Sequence, residues 1–224
     1  MHADGARIAP NDRMNAVPAI VLAAGGSTRL GRPKQLVQFR GRPLIRCAAE
    51  AALDSGCVPV VVVIGANASD CAVQLHGLPV RLAFNQTWHS GMASSIRTGL
   101  NAALSVNAML DAALLCLCDQ PYIRAATLHS IVAARQMHGA RIVASEYAGS
   151  RGAPALFESS LFAELRALDA EDGARKLLAQ FAGEIFAVSN APAALDLDTP
   201  EDYARLCSDE AEEGAARPRK IAAH

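Results

Sequence analysis

The sequence has no excess of charge of either sign: 21 Lys and Arg against 22 Asp and Glu leave a formal net charge of −1 over 224 residues. That excludes a nucleic-acid partner held by bulk positive charge, so any anion site must be a local cluster. Six cysteines include no CxxC pair, and a disulfide framework is not indicated in a chain of this length. Cys116 and Cys118 are two apart and share one face of a strand. They are read as small buried hydrophobes, with a metal pair as the other reading. The six histidines show no HxxxH or HExxH spacing, which leaves a histidine-based metal centre without support. No stretch reaches the ~18 apolar residues of a membrane span. Residues 1–16 are polar and mixed, without the continuous apolar run of a secretory signal. A soluble, cytoplasmic protein without membrane or nucleic-acid partners is expected.

What the chain does have is a composition fit for a large core, with 51% hydrophobic and 19% charged residues. Ala19 to Ala23, Val58 to Ile64, Val80 to Phe84 and Ala112 to Leu117 are short, mostly apolar runs that predict strands, Val58 to Ile64 with the almost wholly β-branched pattern of one covered on both faces. Arg141 to Ser145, Ala153 to Phe157 and Glu184 to Val188 predict three more. Gln35 to Leu44 predicts a short extended excursion turning at Arg40-Gly41. Pro43 then opens a helix as an N1 proline, and that helix stops at Ser55-Gly56. Further helices are predicted up to His76-Gly77, over Met92–Leu104, over 124–138, around Ser160–Leu168 and Gly173–Phe181, and from Thr199-Pro200, with Thr199 as N-cap. This alternation predicts an α/β protein: one doubly wound, mainly parallel sheet with helices on both faces. The domain is expected over residues 18–207. It would follow a flexible N-terminal extension, 1–17, and precede a disordered charged tail, 208–224, in which Asp209-Glu210-Ala211-Glu212-Glu213 is acidic and Arg217-Pro218-Arg219-Lys220 basic.

The first strand breaks into Gly25-Gly26-Ser27-Thr28-Arg29-Leu30-Gly31-Arg32-Pro33-Lys34. Glycines permit positive φ and close approach of the backbone to a ligand. Successive N–H groups in such a turn form an anion-binding concavity, to which Arg29, Arg32 and Lys34 add charge. Two well-known phosphate loops fail here. G-x-G-x-x-G is absent. G-x-x-x-x-G-K-[ST] is half met by Gly26 and Gly31, but Lys34 comes two places late and Pro33 disfavours a helix start.

From Leu22 to Leu36 the chain matches L-A-A-G-x-S-x-R-x-G-x-P-K-x-L at every fixed position. It thereby resembles the nucleotidyltransferases of the molybdenum-cofactor type. Three further stretches are similar to motifs of that family: Asn85 to Ser95 (N-x-x-W-x-x-G-M-x-x-S), Cys118-Asp119-Gln120-Pro121, and Asp196 to Asp202 (D-x-D-T-P-E-D). Asp172-Gly173-Ala174-Arg175 resembles a segment before the final strands. The resemblance covers about residues 19 to 206. It implies a Rossmann-like nucleotidyltransferase fold and transfer of a nucleoside monophosphate from an NTP to a phosphorylated acceptor, with release of pyrophosphate.

The nucleotide-binding residues so implied are Leu22, Ala23, Ala24, Gly25, Gly26, Ser27, Arg29 and Lys34. To these the later motifs add Asn85, Gly91, Met92, Ser94, Ser95 and Asp119. Arg29, Lys34 and Asp119 are the implied catalytic set. Mg²⁺ is the implied cofactor, held by Asp119 and Asp198, each placed at a strand end, with Asp196 as the alternative to Asp198; one or two carboxylates suffice for this ion. Ser94 and Ser95 either bond base or ribose or cap the helix after Gly91, and Trp88 alone reads as packing. Arg32 occupies a variable motif position and is left out.

Ala24 stands where the guanylyl-transferring branch resembles L-A-G-G, which favours CTP over GTP. The favoured acceptor is the molybdenum cofactor, with a molybdoenzyme of the xanthine-dehydrogenase type as client. One departure bears on the acceptor: Gly152-Ala153-Pro154 stands where cytidylyltransferases usually carry G-H-P. The alternatives are a GTP-dependent guanylyltransferase, a sugar-phosphate nucleotidyltransferase, and a non-catalytic protein that delivers cofactor.

Overall fold

Strand β1 (Ala19–Ala23) has five apolar residues, all buried, as a strand covered on both faces must have. In the computed structural model, which describes residues 17–169 and 172–216, it forms the centre of a seven-stranded sheet. β1 pairs in parallel with β4 (Val60–Ile64) on one side and β6 (Ala112–Leu117) on the other. β5 (Arg81–Phe84) extends the sheet beyond β4. Past β6 comes β8 (Ser150–Glu158), antiparallel to β6 and to β7 (Ile142–Tyr147). β9 (Ile185–Ser189) closes that edge, parallel to β7. The order is β5-β4-β1-β6-β8-β7-β9, and β8 alone runs against the rest.

Side chains alternate across β1, so its two faces seed two cores. Ile20 and Leu22 pack with α3 (Met92–Val106), α5 (Phe162–Ala167) and α6 (Arg175–Gln180). Ala19, Val21 and Ala23 pack with α1 (Leu44–Asp54), α2 (Ala68–Gln74) and α4 (Ala125–His138). Cys57, Cys71, Cys116 and Cys118 all lie in the second core, where burial pushes their thiols up from the ordinary value. They act as small protonated hydrophobes. A third, smaller cluster joins Leu30, Val37, Phe39 and Leu44 to Leu197 and Leu206, the last on α7 (Pro200–Ala216).

The excursion expected after the glycine loop is a hairpin of β2 (Gln38–Phe39) and β3 (Arg42–Pro43). Its turn residues Arg40 and Gly41 both have positive φ, 51° and 74°, the twist that suits a two-residue hairpin. Three local expectations change. Pro43 ends β3 and precedes α1 as its N-cap, because its extended ψ of 142° lies outside the helix. Val58 is exposed ahead of β4, which begins at Val60. The charged tail expected from residue 208 falls inside α7 as far as Ala216. Its glutamates and alanines are good helix formers, and the Tyr122 hydroxyl donates to Asp209 Oδ2 at 2.7 Å. Residues 1–16 and 217–224 lie outside the described residues, as does the basic run from Arg217.

Among the described residues no helix is long and apolar enough to cross a membrane. Helix α3 rides close on the sheet because Gly99 has no side chain: a Cβ there would stand 2.8 Å from Val63 Cγ2 and closer still to Ile20. Gly99→Ala should therefore destabilise the fold. Overpacking costs ~1–3 kcal/mol against a gain of about 1 kcal/mol in helix propensity. A lower urea unfolding midpoint is the expected result, and a raised one would refute the close packing.

Candidate active site

The loop after β1 is held by Gln35, the second residue of a short 3₁₀ turn, Lys34–Leu36. Its side chain is fully buried, and its amide donates to the carbonyls of Ala23 at 3.0 Å and Gly25 at 2.6 Å. Ser27 completes the brace: its hydroxyl accepts from the Lys34 N–H at 3.0 Å and reaches Gln35 Oε1 at 3.4 Å. Positive φ falls on Ser27 (55°) and Gly31 (72°), not on Gly25 or Gly26. Those two glycines serve by lacking a side chain. A Cβ on Gly26 would stand 2.9 Å from the Trp88 ring, whereas one on Gly25 would meet nothing within 4 Å. Gly25 thus faces open space with its backbone bare.

That space is a cleft of about 330 Å³ at the carboxyl ends of β1 and β6. Leu22, Ala23, Ala24, Gly25, Gly26 and Lys34 line one side, and Gly91, Met92, Ser95 and Asp119 line the other. These are ten of the fourteen residues expected to bind nucleotide. Gly91, at φ 101°, starts α3 with its N-terminal end toward the cleft, a favourable place for an anion. The other four stand back. Asn85 and Ser94 are buried behind the wall, where Asn85 Nδ2 donates to the hydroxyls of Ser94 (2.8 Å) and Ser95 (2.9 Å). Ser94 in turn donates to the Gly91 carbonyl at 2.7 Å, so it shapes the entry to α3. Ser27 braces the loop, and Arg29 is exposed at its rim.

Thr28, Gln35, Trp88, His89, Leu117 and Cys118 also line the cleft. Trp88 and Cys118 fall at specified positions of the motifs quoted above, whereas the other four are identified by spatial packing. Gln35 sits at a variable place in the motif. Trp88 takes its position from Gly65, whose absent Cβ would lie 2.7 Å from the Trp88 Cβ. Arg32 stacks on the Tyr203 ring of α7 at 4.8 Å rather than joining the cleft.

Charge converges at one end. The Lys34 ammonium donates to Asp119 Oδ2 and, at 3.0 Å, to Asp198 Oδ1. Arg29 reaches the other oxygen of Asp198 at 3.4 Å. Asp119 lies two residues past the end of β6, as expected. Asp198 differs: it is not at a strand end but nine residues beyond β9, directly before α7. The returning chain is fixed by the Leu197 N–H, which donates to the Asp119 carbonyl at 2.9 Å, and by the fully buried Leu197 side chain. The expected Thr199 cap is present, with the Asp202 N–H donating to Thr199 Oγ1 at 3.2 Å and Asp202 Oδ2 accepting from the N–H groups of Asp198 and Thr199.

Burial alone would lower the Lys34 pKa. The negative charge of Asp119 and the hydrogen bonds to both carboxylates outweigh it and hold the value above that of an ordinary lysine. The stabilisation from this pair is therefore complete below the ordinary lysine pKa, and is lost only as pH rises through the higher folded value. Asp196 moves upward too, through burial first and then through its negative neighbours Asp119 and Asp198.

Asp119 Oδ1, Asp196 Oδ1 and Gln120 Oε1 are buried without a hydrogen-bond partner. Unpaired oxygens of this kind suit a hard cation, so the residues fit Mg²⁺ or a similar ion. No group of three or more His, Cys, Asp or Glu side chains is arranged as a metal cage among the described residues. Such a cage is not needed by an ion that keeps waters or phosphate oxygens as ligands. An anion-ready cleft beside an ammonium and spare carboxylate oxygens can bind a polyphosphate with its metal and stabilise charge at phosphorus.

Residues 19–214 match the MobA-like NTP transferase domain. The chain belongs to that family. Within this NTP transferase family, it is 34% identical over 201 residues to nicotine blue oxidoreductase of Paenarthrobacter nicotinovorans, covering 85% of this chain and 96% of that one. It is 27% identical to the purine catabolism protein PucB of Bacillus subtilis (strain 168), over 82% of this chain and 92% of that one. Among solved structures, Rv0371c of Mycobacterium tuberculosis H37Rv superposes with a TM-score of 0.75 at 29% identity, over 86% of this chain and 98% of that one. A complex of Rv0371c with manganese has a TM-score of 0.71 at 27% identity, with the same coverage.

Gln35→Ala should leave the carbonyls of Ala23 and Gly25 without their donor, at on the order of 1–3 kcal/mol for each buried group. Urea unfolding checks this; wild-type stability in the variant would show that the brace carries no load.

Proposed function

We propose that this NTP transferase family member moves a cytidylyl group from CTP to a phosphorylated acceptor, the molybdenum cofactor being favoured. The observation that carries the transferase reading is the Lys34 ammonium shared by Asp119 and Asp198 at the mouth of a glycine-walled cleft. In the reaction, an acceptor phosphate oxygen attacks the α-phosphorus of the NTP, the bond from that phosphorus to the bridging oxygen breaks, and pyrophosphate leaves. Backbone N–H groups of Gly25 to Arg29 cradle the triphosphate. The Lys34 ammonium turns from its carboxylates to the phosphates and neutralises charge as the transition state forms, with Arg29 assisting from the rim. Asp119, with Asp198 or Asp196, would hold Mg²⁺. When bound, that ion supplies positive charge that offsets repulsion between the two anionic reactants.

Ala24 supports CTP. Its methyl packs in the cleft wall toward Gly65, where a glycine would leave more depth, and a pyrimidine needs less room than a purine. Such a difference is worth ~1–3 kcal/mol in pocket discrimination. The purine catabolism protein among the relatives fits a client of the xanthine-dehydrogenase type. A second reading comes from the 34% identical relative, an oxidoreductase by name. Reduction of a substrate by this chain would then replace transfer. A delivery protein without turnover is the third reading, and it gives no task to the Lys34 pairing.

Purified protein with Mg²⁺, the molybdenum cofactor and each NTP in turn should release pyrophosphate with CTP. Release with GTP alone overturns the base assignment. Release with none, together with oxidation of reduced nicotinamide, selects the oxidoreductase. Asp119→Ala should cut pyrophosphate release by about a thousandfold or more if it supplies both metal and charge contacts while the melting profile stays cooperative; a substantial residual rate refutes the assignment. Comparing Asp196→Ala with Asp198→Ala identifies the second ligand.

Lys34→Ala removes the cation that competes with a metal. Binding of Mn²⁺ alone, followed by its electron paramagnetic resonance signal, should tighten by about tenfold, which is ~1.4 kcal/mol. Weaker binding would show that Lys34 does not compete with the ion.

A further inference from the structure

A cavity of about 270 Å³ lies between the β2–β3 hairpin, α1 and the start of α4. It shares no lining residue with the nucleotide cleft. Its volume is just under the ~300 Å³ at which pockets for drug-sized ligands begin, so it suits a polyatomic ion with at most a short body attached. Its charged lining is Arg40 and Arg42 from the hairpin, Arg124 from the residue before α4, and Glu50 and Asp54 from α1.

An aromatic ring sets the position of two of these arginines. Phe39 is 2% exposed, and the guanidinium carbons of Arg40 and Arg124 stand 4.9 Å and 5.8 Å from its ring centre. Cations within ~6 Å of an aromatic face are attracted to it. Tyr122 meets the same ring edge-on, 5.4 Å between centres, and so fixes the platform. An arginine laid on a ring still presents its fork of N–H groups to a ligand. Arg42 is placed from the α1 side, where it donates to Glu50. Arg46 also donates to Glu50, at 2.9 Å, so two guanidiniums offset that one carboxylate. The Cys47 thiol on the cavity wall reports where the charges converge. Burial pushes its pKa up, while the positive charges of Arg42 and Arg124 act in the other direction.

The backbone adds donors at the same place. Helix α4 runs for 14 residues, and among the described residues no side chain caps its start. Arg124, extended at φ −117° and ψ 163°, offers its carbonyl to the N–H groups of Thr127 and Leu128. Ala125 and Ala126, which lie before the first helical N–H to be bonded in this way, both line the cavity. The positive end of the helix dipole therefore points at the space the arginines surround. Pro121 and Ile123 give it a short apolar wall. A carboxylate offers two acceptor oxygens and one charge. A phosphate group offers three or four and up to two charges, which matches several guanidiniums and a helix end better.

We propose that this cavity is a second anion site, which takes the phosphate group of a small molecule between Arg40, Arg42, Arg124 and the N–H groups of Ala125 and Ala126. The site does not depend on the transferase reading of the nucleotide cleft. Free phosphate and a small phosphate ester share this chemistry, and two probes separate them.

The test follows backbone amide resonances of the full chain by nuclear magnetic resonance, without nucleotide or metal and at constant ionic strength. Inorganic phosphate and glycerol 3-phosphate are titrated separately. The Ala125 and Ala126 amides should shift saturably, and the probe that binds tighter identifies the source. The affinity read at these amides should fall by about tenfold or more in Arg124→Met and in Arg40→Met, as expected for losing a charged hydrogen bond. Arg124→Lys should recover part of the loss. Arg81→Met removes the same charge on β5, at the far edge of the sheet, and should change the affinity by less than about twofold. Shifts confined to Gly25–Arg29 would mean that phosphate enters the nucleotide cleft alone, and they overturn the proposal. So does unchanged affinity in the methionine variants, or an equal loss in Arg81→Met, which would be a general effect of charge. Thermal melting checks each variant. Arg40 is an exposed turn residue, so Arg40→Met carries the test if Arg124→Met does not fold.

Discussion

Three carboxylates, the buried Asp119 and the half-buried Asp196 and Asp198, stand together near the carboxyl end of the sheet, and like charges withdrawn from water in this way need a counter-ion. Lys34 is that counter-ion. It donates hydrogen bonds to both Asp119 and Asp198, with about four-fifths of its side chain out of solvent. Three remote pieces of chain depend on it: the loop after β1, the turn after β6 and the segment before α7. An ammonium in this place neutralises without ordering a shell of ligands. It can therefore leave when a stronger cation and a polyphosphate arrive together.

The loop carrying Lys34 is over-determined. Gln35 ties it to β1 from beneath, Ser27 braces it from within, and Leu30 anchors its far side in the cluster with Leu197 and Leu206. Backbone N–H groups fixed in advance serve an anion better than groups that must reorganise on binding. The Trp88 ring against Gly26 and Gly65 supplies the opposite wall. The cleft is thus shaped chiefly by residues that need never touch a ligand.

Much of this was legible from local pattern. Apolar runs placed most strands within a residue or two, since a central strand buried on both faces has little polar choice, whereas β8 begins three residues before the expected Ala153. The motif from Leu22 to Leu36 placed the loop, and Asp119 followed from β6. What failed was non-local. Asp198 was expected at a strand end, yet it reaches the site through a backbone hydrogen bond between Leu197 and Asp119, which no periodicity encodes. Gln35 stands at a variable place in the motif, and its task depends on burial. Glycine permits both positive φ and close approach; in this loop Gly31 and Ser27 take the positive φ, while Gly25 and Gly26 make room instead. The charged stretch after residue 208 was assigned to disorder on composition, but its first half continues α7, where Leu206 and Tyr203 hold the helix to the core.

The bond between Lys34 and Asp198 spans 164 positions of sequence. A chain made from its N-terminus exposes the lysine early and the aspartate late, after every strand of the sheet has been synthesised. Until then Asp119, 85 positions away, is the nearer of its two partners. Closing so long a loop costs only slowly growing entropy, so the distance hardly burdens the finished fold. Its effect is on timing: the full set of opposed charges comes together only in a chain that is nearly complete, and a chain that ends early has a sheet but no finished site.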